Sequence, residues 1–190
     1  MLTLRKPTAA DSAAIEGYRR AVHYAGLPLH GATPDLFPDV ASWLAFHEAP
    51  AGTLLPNGVA KVADSTWLGW DDEHLVGIIN LRHELNEFLR HYGGHIGYSV
   101  HPACWNRSYA TQMLALALRK SDALGLRELL LTCSPDNLAS RRVIEKNGGV
   151  LERIGEYRGE RVCSPDNALN RLPSALNPFK RGQPPCTKNY

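Results

Sequence analysis

Apolar positions change their spacing several times along this chain, and each change marks an element. Residues 95–100 alternate, with Ile96, Tyr98 and Val100 on one face and His95, Gly97 and Ser99 on the other, which predicts a strand that Pro102 ends. Tyr109, Ala110, Met113, Leu114, Ala117 and Leu118 then recur at helical spacing and predict one apolar stripe, stopped near Gly125. Residues 128–133 read as a buried strand through Leu129, Leu130 and Leu131. Ser134 and Pro135 offer the cap and first position of another helix, which Lys146, Asn147 and Gly148 close with a cation and a glycine.

Toward the N-terminus, residues 2–6 alternate up to Pro7, and Thr8 or Asp11 caps a helix carrying Ile15, Tyr18 and Val22 that ends by Gly26. Gly26, Pro28, Gly31, Pro34 and Pro38 make residues 26–39 a loop, placed to cover a substrate cleft, before a short helix over 39–48 bearing Val40, Trp43, Leu44 and His47 on one side. Residues 65–70 and 74–81 predict a hairpin turning at Asp71, Asp72 and Glu73. No internal repeat is visible. After Cys163 the pattern decays among Pro165, Pro173, Pro178, Pro184 and Pro185, so a domain over 1–162 and a poorly ordered tail over 163–190 are expected.

Composition narrows the classes. With 190 residues, 44% of them hydrophobic, the chain fits one domain with a continuous core. Its 21 basic and 19 acidic residues are well mixed, giving a net charge of +2 and no basic stripe of the kind nucleic acid requires. Apolar runs such as 75–79 are far below the roughly 20 residues of a membrane span, and no signal peptide is expected. Cys104, Cys133, Cys163 and Cys186 lack the paired spacing of a zinc site, which favours a reduced, cytoplasmic protein. His91 and His95 stand four apart, but Gly93 and Gly94 break the helix that would make them a metal pair, so no metal is expected.

Residues 102–110 lie between a strand and a helix, where main-chain N–H groups from Asn106 to Ala110 lack intrahelical partners and suit a phosphate. Arg107 adds a charge, and Ser108 and Tyr109 add hydroxyls. An ordinary capped helix start with a solvated arginine accounts for the turn equally well.

Taken together, residues 94–102 (Gly-His-Ile-Gly-Tyr-Ser-Val-His-Pro), Tyr109-Ala110-Thr111, and Asn137 to Ser140 followed by Glu145-Lys146-Asn147-Gly148-Gly149 resemble the GNAT family of acyl-CoA-dependent N-acetyltransferases. Residues 76–89 resemble one branch of that superfamily, and the likeness runs more faintly from Leu2 to about Ile154. The resemblance implies an α/β fold of the GNAT acyl-CoA N-acyltransferase type, a mixed central sheet flanked by helices that splays beside the strand ending at Val100. It implies acetyl-CoA as co-substrate, with pantetheine along Tyr98, Ser99 and Val100 and the pyrophosphate at Trp105, Asn106, Arg107, Ser108, Tyr109 and Ala110. Asn137 would meet the pantetheine arm, and Ser140 the thiol end. The sequence departs from the family at Trp105, where Arg or Gln is usual, and at Ser108, where glycine is usual.

Acetyl transfer to an amine needs a base, a polarised thioester carbonyl and a donor for the departing sulfur. The resemblance gives the second role to amides around Tyr98 to Val100. Glu84, Glu87 and His95 are candidate bases that spacing does not separate, with Glu84 ranked first. The family's usual acid, a tyrosine, falls at Ile144, so Tyr98 is the candidate substitute. The expected activity is acetylation of a primary amine, small molecule or peptide, by direct attack in a ternary complex. A member that binds acyl-CoA or a protein without turnover is the alternative. A nucleotide-phosphate module is disfavoured because no Walker or dinucleotide glycine pattern is present. Only residues 158–162 suggest a sheet-closing strand, and an edge left bare would favour a homodimer.

Overall fold

Alternation in the first half of the chain builds a four-stranded antiparallel sheet in the order β1 (Leu2–Arg5), β2 (Asp64–Asp71), β3 (His74–Arg82) and β4 (Ile96–Val100). The computed structural model describes residues 1–134, 136–155 and 167–173, with side chains up to residue 150. The β2–β3 hairpin turns where expected, with Asp72 at φ +51°.

Each face of this sheet receives helices. On one, α1 (Ser12–Tyr24) buries Ile15, Tyr18 and Val22, and α2 (Val40–Glu48) buries Val40 and Trp43, against Leu68, Trp70 and Ile78. The Asp39 carboxylate caps α2 by accepting from the Ser42 amide. On the other face, α3 (Tyr109–Ala123) sets Met113, Leu114 and Ala117 against Val76, Ile79, Leu81 and Ile96. Gly69 and Gly77 pair across β2 and β3 and make room for Met113. A Cβ on Gly77 would stand 2.8 Å from Met113 Sδ and 2.6 Å from the Ser99 carbonyl oxygen.

A second, three-stranded antiparallel sheet runs in the order β5 (Glu128–Cys133), β7 (Asn167–Pro173), β6 (Val150–Gly155), with α4 (Leu138–Lys146) placing Ile144 in the α3 core. Two expectations shift. α4 is capped by Asn137 rather than by Ser134, because the Asn137 carboxamide reaches the Ser140 amide at 3.0 Å and satisfies an orphan donor of the first turn. The strand between β5 and β6 is Asn167–Pro173, within the stretch expected to be a tail, so the chain itself covers the edge of β5. The closing strand expected at 158–162 and the remainder of the tail lie outside the described residues.

Candidate active site

Antiparallel pairing decides which way each main-chain group of β4 points. The His95 carbonyl accepts from Arg82 N, and His101 N donates to the Val76 carbonyl, so the odd residues of β4 face β3. The even residues Ile96, Tyr98 and Val100 therefore turn their N–H and C=O groups away from β3. Among the described residues no strand pairs with that edge.

The two sheets meet just before it. His95 N donates to the Leu130 carbonyl at 2.7 Å, and Leu130 N donates to His95 Nδ1 at 2.9 Å. Gly94, at φ +59°, makes this approach possible, since a Cβ there would lie 2.5 Å from the Leu130 oxygen. Beyond His95 the sheets diverge, leaving a cleft with the free edge of β4 as one wall. The same geometry answers for His95 as a base. Burial depresses its pKa to about 4, and its Nδ1 lone pair is engaged by the Leu130 amide.

At the far end of β4 the chain makes the turn that leads into α3. Asn106 and Ser108 both adopt left-handed conformations, φ +59° and +62°. Among the described residues the amides of Asn106, Arg107, Ser108, Tyr109, Ala110 and Thr111 meet no acceptor, the first internal bond being Gln112 N to the Ser108 carbonyl. Six donors without a described acceptor at a helix start, with exposed Arg107 beside them, are an arrangement that suits an anion. Side chains contribute less than expected. The Tyr109 hydroxyl donates to Asp71 at 2.6 Å, and Ser108 Oγ makes no capping bond. Trp105, where the family pattern has Arg or Gln, instead donates from Nε1 to the Val100 carbonyl at 3.0 Å and so occupies one outward acceptor of β4.

Across the cleft, the structure brings Tyr98 and Ser140 together. Their hydroxyl oxygens are 2.9 Å apart, and burial pushes the phenol up to about 12. Ser99 points the other way, as alternation requires. Its Oγ accepts from the Tyr18 hydroxyl at 2.8 Å and donates to the His30 carbonyl at 2.6 Å. Asn137 spends its carbonyl oxygen on the α4 cap, and Ile144 is fully buried core. Glu84 and Glu87 are both exposed in the segment after β3. Glu84 lies beside His83, whose ring bonds Ser65 on β2.

Residue spacing did not bring forward Arg82 and His30, on the α1 side of β4. A signal for Arg82 exists, because Asn80 and Arg82 alternate with Ile79 and Leu81 and so place two polar side chains on one inner face. Among the described residues no group of His, Cys, Asp and Glu is arranged to hold a metal, and no helix is long and apolar enough to cross a membrane.

The profile of the acetyltransferase (GNAT) domain matches residues 1–150. No curated protein sequence matches the chain. Among solved structures, Mycobacterium smegmatis RimJ in complex with CoA-disulfide superposes with a TM-score of 0.69 at 23% identity, over 93% of this chain and 84% of that one. YncA from Salmonella typhimurium, a putative acetyltransferase with its cofactor acetyl-CoA, gives 0.60 at 19% identity, over 93% and 96%. A spermidine N-acetyltransferase SpeG chimera from Vibrio cholerae and hSSAT gives 0.58 at 19% identity, over 90% and 93%. These likenesses bear on the fold.

Proposed function

The chain belongs to the GNAT acetyltransferase family, and from that premise we propose that it moves acetyl from acetyl-CoA to a primary amine by direct attack in a ternary complex. One observation carries this reading: the outward main-chain edge of Ile96, Tyr98 and Val100, occupied only at the Val100 carbonyl among the described residues, runs toward six amides at the start of α3 that meet no described acceptor. A strand edge offers donors and acceptors to an amide-bearing arm, and a helix start offers donors to a diphosphate. The residues fit acetyl-CoA in both respects.

In this reading the amine nitrogen attacks the thioester carbonyl carbon, the C–S bond breaks, and the amine's proton leaves to a base. Amides of the β4 edge stabilise the charge that develops on the carbonyl oxygen. Tyr98, paired with Ser140, supplies a proton to the departing sulfur. With His95 Nδ1 engaged, the proton from the amine passes to Glu84 or Glu87, directly or through water.

Calorimetry with acetyl-CoA at millimolar concentration, followed by free-CoA release with a panel of amines, tests the proposal. Heat of binding with amine-dependent thiol release is expected, and absence of heat overturns it. A second reading, binding without turnover, draws on Trp105 capping Val100, Ser108 replacing glycine and Ile144 replacing the usual acid. Binding heat without CoA release for any amine, and no acetylated product, would favour that reading.

A further inference from the structure

Arg82 ends β3 opposite Asp64, yet among the described residues no carboxylate lies within ion-pair distance of it. Asp64 is held by Lys61 and by Asn80 Nδ2 instead. Arg82 spends Nη1 on the Gly93 and Gly94 carbonyls, at 2.9 and 3.0 Å. Its Nε and Nη2 meet no acceptor among the described residues. Nη2 lies 3.7 Å from where a Cβ on Gly97 would stand, just beyond the point where the sheets diverge. Burial lowers the guanidinium pKa to about 10, which still leaves it charged at neutral pH.

Asp64 acts on Arg82 from a distance but is already paired with Lys61, and the other described groups facing this spot do not cancel the charge. His30 and His95 are both held below their usual pKa by burial, with Arg82 adding to the effect. Asp35, the one carboxylate acting on His30, is exposed. The side of β4 away from Tyr98 thus carries one positive charge whose Nε and Nη2 edge is without an acceptor among the described residues. Among the described residues Asp64 is the one carboxylate acting on Arg82, and with Lys61 already paired to it, it offers a polyamine little counter-charge on this side of β4.

We propose that Arg82 selects the acceptor: its Nε and Nη2 pair with a carboxylate carried by the amine substrate, so the substrate class is amino acids or peptides with a free carboxylate. The assignment rests on the acetyltransferase reading for where the amine sits, and on the geometry of Arg82 for the charge it prefers. Arginine suits a carboxylate because two parallel N–H donors match its two oxygens.

The experiment compares α- and ω-amino acids and dipeptides, each beside its amide, with spermidine as the cationic probe. In the native protein kcat/KM for the acids exceeds that for the amides by about tenfold or more. Arg82→Gln brings the ratio close to one, and Arg82→Lys keeps part of it. Because each ratio is measured within one protein, loss of the Gly93 and Gly94 bonds cancels, and a melting curve confirms folding. Equal use of acids and amides, an unchanged ratio in Arg82→Gln, or preference for spermidine overturns the proposal. If no amine releases CoA, the turnover reading fails by itself. Titrating N-acetylated amino acids and their amides into the CoA complex then decides the role of Arg82. Tighter binding of the acids, lost in Arg82→Gln, supports it, and indifference to the carboxylate overturns it.

Discussion

Replacing Ser108 by glycine separates two costs that one residue imposes on the proposed diphosphate turn. Ser108 stands at φ +62° and ψ 12°, a left-handed conformation that costs a residue with a Cβ about 1–2 kcal/mol. Glycine removes that strain but loses about 0.5–1 kcal/mol more backbone entropy on folding. No capping bond is sacrificed, because the Ser108 side chain makes none. The net expectation is a gain of about 0.5–1 kcal/mol, or roughly 1–4 °C in Tm for a chain of this size. Strain is present with and without ligand, so it cancels in the dissociation constant. Affinity therefore reads only the crowding by the Cβ, and Ser108→Gly should bind acetyl-CoA more tightly as well. Asn106→Gly is the internal control. Asn106 is also left-handed, φ +59°, but asparagine tolerates that region, so its change should stay within about 0.5 kcal/mol. Urea unfolding and acetyl-CoA calorimetry on both variants provide the two readouts. A destabilised Ser108→Gly, or an equal gain from Asn106→Gly, refutes the strain argument, and an unchanged Kd refutes the crowding argument.

Gly77→Ala should destabilise the fold by about 1–3 kcal/mol through overpacking, because its Cβ meets both the Ser99 carbonyl and Met113. Gly69→Ala should cost less, since it meets chiefly the flexible end of Met113; thermal melts of the pair check the order. Tyr98→Phe removes the hydroxyl beside Ser140 and should lower kcat by about tenfold or more while leaving the KM for acetyl-CoA nearly unchanged; an unaltered kcat removes Tyr98 as proton donor. Burial depresses His47 and His95 from 6.5 to about 4 in the folded protein. The unfolded chain therefore binds more protons between those values, and stability is full above pH 6.5 and falls as the pH drops toward 4. Urea midpoints across this range should show the decline, less steep in His95→Gln, and a flat profile would contradict the burial of both rings.

Much of the fold was legible because it is written locally. The period-2 run at 95–100, the stripe from Tyr109 to Leu118 and the hairpin at Asp72 became elements near the positions their spacing indicates. Local chemistry misled at Ser134, where a good cap was outcompeted by Asn137 three residues beyond. The proline-bearing segment at 167–173 carried no strand signal of its own, and it is a strand because β5 and β6 pair with it on both sides. Individual roles were harder still. That Tyr109 spends its hydroxyl on Asp71 and Trp105 its indole on Val100 depends on neighbours 38 and five residues away, respectively.

Periodicity and turn chemistry, both properties of short segments, determined strands β1 to β5, helices α1 to α3 and the expectation that the turn before α3 suits an anion. The divergence of β4 from β5 and the placing of the Arg82 fork beside Gly93, Gly94 and Gly97 arose only in three dimensions. Each depends on a close approach between segments distant in the chain, Gly94 against Leu130 and Arg82 against Gly93 and Gly97. Such contacts follow from how two sheets pack around a shared helix, which no local pattern encodes.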